Sequence, residues 1–417
     1  MPLERVFEDL QIFLDANVKL VKFVDRTFNL NENRYIKIWE YIKNHYNGIT
    51  RFHFEIAGDI LKESTLEILQ SMPEGAVQLE IGMQSFNEKT LAYINRKTNT
   101  EKLIENIRKL LAPGNLHIHI DLIAGLPFED LESFEHSFDI GYNLRSNMLQ
   151  LGFLKLLHGA QMRENFEKYP CEFSKEPPYE VISTQWTSEE DLSLLHKVED
   201  ALERLCNSGR FIGTVDYILE ETGLSPFEFF KRFGIYAAEH SKPLVSLDDY
   251  TEMAFEYLSK LDGIEASVLK DKMICDRLCS NSSGKLPEVL KVRNPEIKKI
   301  RLAIESEEEN RPYPVVFIKV ITRHAEPVKT STTENEHGNN QHNPKFRLVD
   351  SAIPFRHHLC TPVGQATRNQ ESKDSSDKRA YIRVAGFDFS PPEGGAEHYG
   401  CEVDADENGP ADHGALD

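Results

Sequence analysis

The chain alternates short apolar runs with amphipathic helical stripes, and this alternation limits its fold more than any other feature. Five runs have the length of β-strands, at residues 18–24, 52–56, 77–81, 116–123 and 148–157. Apolar residues at helical spacing lie between them, as in Leu103, Ile107 and Leu110. Strands that return every ~30 residues with helices between them form parallel βαβ units. The sequence therefore predicts an α/β fold, a partial (β/α) TIM-like barrel of parallel strands that opens on a helix.

The pattern divides the chain into three predicted regions. Residues 1–162 carry the βαβ alternation, and residues 163–320 are mostly helical, with one stripe formed by Leu192, Leu195 and Val198. After residue 321 the periodicity fails, so we expect residues 321–417 to be a disordered, acidic tail that also contains several histidines.

Composition excludes several classes of protein. The net charge of −20 over 417 residues disfavours nucleic acid, which usually selects a basic face. No apolar run approaches the ~20 residues of a membrane-spanning helix, so we expect no membrane contact. The six cysteines are scattered, which favours reduced thiols and a cytoplasmic location. We expect the partner to be a small-molecule or otherwise unknown substrate.

Polar residues and glycines cluster where the predicted strands end. The clearest examples are Glu80–Phe86, Asn95–Arg96 and Asp121–Pro127. Glycine allows a backbone to approach a ligand closely, and βα folds bind ligands at the carboxyl ends of their strands. We therefore expect a cofactor site at this end of the sheet.

The order and spacing of these clusters resemble the second half of the radical S-adenosylmethionine (SAM) domain, especially in proteins with vitamin B12-binding domains and in oxygen-independent coproporphyrinogen oxidases. The segment 23–28 is similar to the family's Phe-x-Asp-Asp-x-Phe motif, although Arg26 replaces an aspartate. The region after Phe166 resembles an uncharacterised C-terminal domain. The resemblance implies SAM, a [4Fe-4S] cluster, cobalamin through an N-terminal domain, and 5′-deoxyadenosyl-radical chemistry on an unknown substrate.

The resemblance also implies roles for individual residues. Glu55 would contact the SAM amino group, and Arg96 would pair with the SAM carboxylate, which suits a planar guanidinium. Gln84 would face the ribose, and Asp121 would bond the ribose hydroxyls. Two further positions would shape the adenine wall: Gly125 and Pro127.

The cysteines depart from the family pattern. The family binds its cluster with a Cys-x3-Cys-x2-Cys loop, and this sequence contains none. Cys275 and Cys279 have the first spacing, but Ser282 stands where the third cysteine belongs. We therefore predict that the isolated chain is inactive. Either the first strand and cluster loop lie upstream of Met1, or the chain is a non-catalytic remnant of the SAM fold.

A zinc-dependent hydrolase is the other alternative that the sequence leaves open. His117 and His119 alternate on one predicted strand, a pattern that zinc barrels use. Further ligands would have to come from His158 or Asp121. The simpler interpretation is two histidines that face the barrel interior without a metal.

The missing first strand has a structural consequence. The edge of the strand at residues 18–24 would lack a partner, and an unpaired apolar edge invites association between chains. We therefore predict a poorly soluble or dimeric product, unless another segment such as residues 313–320 covers the edge.

Overall fold

A computed structural model describes residues 1–165, 167–240, 245–280, 285–291 and 379–382. Its first region confirms the predicted alternation of helices and strands. The strands are β1 (Leu20–Phe23), β2 (Arg51–Ile56), β3 (Val77–Gln84), β4 (His117–Ala124) and β5 (Met148–Phe153). The helices are α1 (Leu3–Asp15), α2 (Glu32–His45), α3 (Glu63–Gln70), α4 (Glu88–Tyr93), α5 (Thr100–Leu111) and α6 (Leu131–Asn143).

The described part of the second region is mostly helical, as predicted, and also contains a small antiparallel hairpin. The hairpin strands are β6 (Cys171–Phe173) and β7 (Val181–Thr184). The helices are α7 (Gln161–Glu164), α8 (Glu189–Leu202), α9 (Ile212–Thr222), α10 (Pro226–His240), α11 (Leu247–Leu258) and α12 (Ala266–Ser280). Among the described helices, none has the length and apolar character needed to cross a membrane.

The main sheet has the strand order β5-β4-β3-β2-β1-β8, where β8 is Arg379–Ile382. Every neighbouring pair is parallel. Parallel strands need crossover connections, and α2 to α6 supply them between β1 and β5. The partial barrel of parallel strands is therefore confirmed.

The free edge of β1 differs from the expectation. Strand β8 pairs with it in parallel, from Leu20 opposite Arg379 to Phe23 opposite Ile382. The backbone groups of an edge strand accept any extended segment, and here that segment comes from within residues 321–417. The alternative at residues 313–320 and the rest of the predicted tail lie outside the described residues.

The two faces of the sheet differ in polarity. On β3, Leu79, Ile81 and Met83 are buried beneath the helices. The alternate residues of the same strand point to the other face, because successive side chains of a strand alternate. That second face carries polar residues on every strand from β1 to β5, so it defines where a polar ligand can bind.

The helical region is joined directly to the last strand of the barrel. Val181 N–H donates to the Leu154 carbonyl and Leu156 N–H donates to the Tyr179 carbonyl, both at 2.9 Å. Helix α8 then packs so closely on α10 that a Cβ at Gly234 would lie 2.3 Å from the carbonyl oxygen of Lys197. The second region thus sits at the carboxyl end of β5, next to the polar clusters.

Candidate functional site

The polar face of the sheet is organised in rows that follow from the strand register. Lys22, His53, Gln78 and His117 form one row. Glu55, Glu80 and His119 form the next row toward the carboxyl ends of the strands. Gly82, Asp121 and Gln150 form the third. The face is therefore densest in ionisable groups just below the edge where the polar clusters were predicted.

His53 and Glu80 make a close side-chain contact on this face. His53 Nε2 lies 3.0 Å from Glu80 Oε2, and the histidine is 4% exposed. This contact lowers the pKa of Glu80 even though burial raises it. Glu80 therefore holds a negative charge between Glu55 and Asp121, the two carboxylates predicted to bind SAM.

Asp121 is the residue whose ionisation this environment changes most. Burial, followed by like-charge repulsion from Glu80 and Glu55, raises its pKa to about 7. Arg96 acts in the opposite direction. The Oδ1 atom of Asp121 is buried and has no hydrogen-bond partner among the described residues. A buried acceptor without a partner is costly, so this atom suits a ligand that donates a hydrogen bond.

Arg96 reaches the site from the loop that follows α4. Its backbone N–H donates to Leu91 O, and its Nη2 donates to the carbonyl oxygen of Gly82 on β3. Burial lowers the pKa of the guanidinium, while Asp59 and Asp121 raise it. Since the Nε atom has no described partner, the group retains a donor for an anionic ligand.

Gly82 leaves the space into which Gln84 and Arg96 project. A Cβ built at this glycine would lie 2.2 Å from Gln84 Nε2 and 3.3 Å from Arg96 Nη2. Gln84 ends β3 with a φ of +68°, a left-handed conformation that is uncommon for a residue with a side chain. The backbone here turns back so that the glutamine side chain lies over the glycine.

Four of the six predicted site residues therefore lie together at one edge of the sheet, and Gly125 and Pro127 have other contacts. Glu55, Gln84, Arg96 and Asp121 all lie at or around the Gly82 row on the polar face. Gly125, with a φ of +83°, would instead direct a Cβ toward Leu192, Val181 and Leu154. Pro127 is buried and its carbonyl accepts from the Thr90 hydroxyl at 2.8 Å. The binding roles of all six residues stay predictions.

The two histidines considered as zinc ligands, His117 and His119, are neighbours on β4. The rings of His117 and His119 lie 4.8 Å apart, and burial followed by repulsion from His53 lowers the pKa of His119 to about 4. His158 packs its ring against Tyr179. Within the described residues, no group of three or more His, Cys, Asp or Glu side chains could hold a metal ion.

The described cysteines do not form a cluster site either. Cys275 and Cys279 lie on α12, in the helical region. Cys206 is partly buried beside Tyr142, and burial raises the pKa of its thiol to about 12. Thiolates bind iron-sulfur clusters, so this thiol is unsuited to that role.

Sequence reasoning missed one buried acid, Glu129, which follows the Gly125–Pro127 cluster. It is 1% exposed, and burial raises its pKa to about 7. Its Oε1 accepts from the hydroxyls of Ser85 at 2.6 Å and Ser137 at 3.1 Å. The available signal was an acidic residue two positions after the Gly125–Pro127 turn at a strand end, but its burial depends on contacts that are distant in sequence.

Two family models match this chain. Residues 1–140 match the radical SAM superfamily, and residues 167–332 match DUF4080, a family of unknown function. The first region of the chain is thus similar to the radical SAM superfamily, and the second region is similar to DUF4080. This confirms both resemblances seen in the sequence.

Individual relatives share only part of their length with the chain. It is 24% identical over 184 residues to the uncharacterised protein YtqA of Bacillus subtilis (strain 168), covering 42% of this chain and 57% of that protein. It is 30% identical over 111 residues to the oxygen-independent coproporphyrinogen-III oxidase-like protein HemZ of the same organism, covering 27% and 22%. The chain therefore spans less than two thirds of both curated relatives.

A solved structure is similar over a longer stretch. The radical SAM methyltransferase TsrM from Kitasatospora setae, with cobalamin and a [4Fe-4S] cluster bound, is 12% identical to this chain. The likeness covers 68% of this chain and 56% of TsrM, with a TM-score of 0.40.

Proposed function

We propose that this chain binds SAM at the carboxyl edge of its sheet, as the SAM-holding part of a radical SAM protein. The observation that carries the proposal is the buried, unpartnered Oδ1 of Asp121, next to the partly free guanidinium of Arg96 and the space left by Gly82. A hydroxyl donor and a carboxylate on one small ligand would satisfy both groups.

Each residue has a defined task in this proposal. Arg96 pairs with the carboxylate of SAM, and Glu55 on the adjacent row receives its ammonium group. Asp121 accepts from a ribose hydroxyl, which favours its ionised form and offsets the repulsion from Glu80. Gln84 lies beside the ribose. The substrate is proposed to be a small molecule of unknown class.

The iron-sulfur cluster does not fit the described residues. A [4Fe-4S] cluster supplies the electron for SAM cleavage in the superfamily and needs cysteine thiolates as ligands. The described cysteines lie in the helical region and do not converge on the polar edge. We therefore propose SAM binding by this chain without a cleavage step. Cobalamin and a cytoplasmic location stay predictions.

Binding of SAM and of 5′-methylthioadenosine tests the contacts to the amino acid group and to the nucleoside separately. SAM carries an amino acid group, whereas 5′-methylthioadenosine has the same nucleoside without it. Isothermal titration should show Arg96→Lys weakening SAM roughly 10-fold or more, because lysine lacks the planar fork, with little effect on methylthioadenosine. Asp121→Asn should weaken both ligands.

A matched control is Arg108→Lys, which changes an exposed arginine on α5. It should leave both affinities unchanged. If the wild-type chain binds neither ligand, the proposal fails and the remnant interpretation replaces it.

A further inference from the structure

The beginning of the DUF4080 region contacts the two loops that carry the candidate SAM residues. We propose that the segment 168–187 positions this site, with Thr187 and Glu129 as the residues that connect the helical region to the turn at Gln84 and Ser85. The inference assigns a role to part of the DUF4080 region, and its meaning for SAM rests on the proposed function above.

The first contact is a buried hydrogen bond between the two regions. The Thr187 hydroxyl donates to the backbone carbonyl of Glu129 at 2.7 Å, and the two residues are 2% and 1% exposed. Thr187 is itself held by a tight turn, since its N–H and that of Trp186 both donate to the hydroxyl of Thr184. The donor is thus presented by local structure of the helical region.

An aromatic contact on the adjacent residue, Phe128, strengthens this connection between the two regions. The rings of Trp186 and Phe128 have centroids 4.5 Å apart. Phe128 has a φ of +65°, which costs free energy for a residue with a side chain. Packing against Trp186 favours that backbone conformation, so the helical region stabilises the loop from Gly125 to Glu129.

Glu129 extends the connection to the end of β3. Its Oε1 accepts from Ser85 and Ser137, as described above. Each of these hydroxyls also accepts a backbone N–H of the same turn, Ser85 from Asn87 at 2.9 Å and Ser137 from Phe86 at 3.0 Å. The turn that follows Gln84 is therefore fixed by a network whose central acid is held through its backbone by Thr187.

A parallel contact fixes the end of α4, three residues before Arg96. The Tyr93 hydroxyl donates to the Lys168 carbonyl at 2.7 Å. The Tyr93 ring also contacts the rings of Tyr169 and Phe128, at 5.3 and 4.7 Å. The helical region thus touches both loops that deliver candidate SAM residues, one leading to Gln84 and the other to Arg96.

The test compares three variants of the full chain by hydrogen exchange under native conditions, without any ligand. Thr187→Val removes the donor at nearly constant volume and should speed exchange of amides 84–90 about tenfold, because a buried acceptor loses its partner. Thr187→Ser keeps the hydroxyl and should restore wild-type exchange there. The matched control is Thr251→Val, because the hydroxyl of this buried threonine donates to Leu247 O, also at 2.7 Å, on α11.

The outcomes separate this inference from a general loss of stability. Faster exchange at 84–90 in Thr187→Val, absent in Thr187→Ser and Thr251→Val, supports it. Unchanged exchange at 84–90 in a folded Thr187→Val overturns it. Should Thr187→Val fail to fold, Tyr93→Phe serves instead, and it should speed exchange at 91–97; no change there would overturn the inference.

SAM affinity is then measured on the same proteins. Thr187→Val should weaken SAM binding, and Thr187→Ser should not. Equal affinities of wild type and Thr187→Val would overturn the link to the SAM site. If the wild type does not bind SAM, the proposed function fails, while the exchange result still decides whether the helical region positions the turn.

Discussion

Two carboxyl groups, Asp121 and Glu129, have pKa values raised to about 7, and burial is the largest cause for both. Their surroundings differ in a useful way. Asp121 faces the acids Glu80 and Glu55, whereas Glu129 receives hydroxyl donors that lower its pKa in part. Asp121 is thus suited to respond to a ligand, and Glu129 to hold protein groups in place.

Glu129 should make stability depend on pH. Its folded pKa of about 7 lies above the ordinary value of 4.5, so its contribution is fully present below pH 4.5 and is lost as pH rises toward 7. The free energy of unfolding should fall by about 1.4 kcal/mol per pH unit inside this window from Glu129 alone.

Glu129→Gln should remove that slope. Denaturant unfolding at pH 5, 6, 7 and 8 should show the variant less stable than wild type at pH 5, with a difference that shrinks by roughly 2–3 kcal/mol by pH 8. Glu132→Gln, at an exposed position on α6, is the control and should change the pH profile little. A constant difference between Glu129→Gln and wild type would show that Glu129 is ionised throughout.

Gly82→Ala should separate ligand binding from folding. The added methyl group meets the mobile end of Gln84 and the edge of Arg96, so side chains can move aside and stability should change by no more than about 1 kcal/mol. SAM affinity should fall because both side chains are displaced. The matched control is Gly152→Ala on β5, because its added Cβ would lie in ordinary van der Waals contact, 3.6 Å from Leu122 O. Equal SAM affinity in both variants would contradict the assigned cradle.

Single residues differed in how far the sequence could predict them. The edge positions of Glu55 and Asp121 could be predicted, because strand ends can be read from apolar runs and parallel strands share one carboxyl edge; their binding roles stay predictions. Glu129 was missed because its environment is built by Ser85, Ser137 and Thr187, which no local pattern brings together.

At the scale of elements, hydrophobic periodicity predicted which helices and strands exist better than it predicted the residues where they begin and end. The last strand was expected at residues 148–157 and ends at Phe153, where the chain turns to pair with the second region. Ser64 and Glu67 have the spacing of a capping box, but α3 begins at Glu63, and the Ser64 hydroxyl donates to Glu32. Tertiary partners decide such details, because a side chain that finds a better acceptor does not cap its own helix.

The close contact between α8 and α10 predicts that Gly234→Ala destabilises the protein, whereas helix propensity alone predicts the opposite. Alanine is favoured over glycine in a helix by about 1 kcal/mol, so propensity alone predicts that Gly234→Ala stabilises the protein. The new Cβ would instead lie 2.3 Å from Lys197 O, a backbone atom that cannot rotate away. We expect a loss of about 1–3 kcal/mol or more.

Thermal unfolding followed by circular dichroism measures this effect. Ala238→Gly, at an exposed position of the same helix, makes the reverse change and should cost only about 1 kcal/mol. A higher melting temperature for Gly234→Ala would mean that the two helices are not in close contact.

At the scale of the whole molecule, the parallel sheet followed from the alternation of elements, but the covering of its first edge did not. Pairing by Arg379–Ile382 joins residues more than 350 positions apart in sequence, and short segments of this kind carry too little pattern to reveal their partner. The attachment of the second region to β5 was likewise unpredictable, since it uses backbone groups that every residue has.

The cysteine pattern predicts that the purified chain, reconstituted with iron and sulfide without oxygen, will not hold one [4Fe-4S] cluster per chain. The sequence has no Cys-x3-Cys-x2-Cys, and burial raises the pKa of the Cys206 thiol to about 12. Iron and sulfide analysis together with the absorbance of thiolate-iron bonds measures this. A stoichiometric cluster would contradict the account and require ligands that the described residues do not offer.

The location of SAM is the central claim, and hydrogen exchange of the wild-type chain with and without saturating SAM tests it most directly. We predict slower exchange in four segments around the carboxyl edge: residues 54–59, 82–87, 95–97 and 121–129. Exchange in α9 and α12, which lie away from this edge, should not change. Protection that avoids these four segments, or no protection at concentrations that saturate binding, would contradict the account.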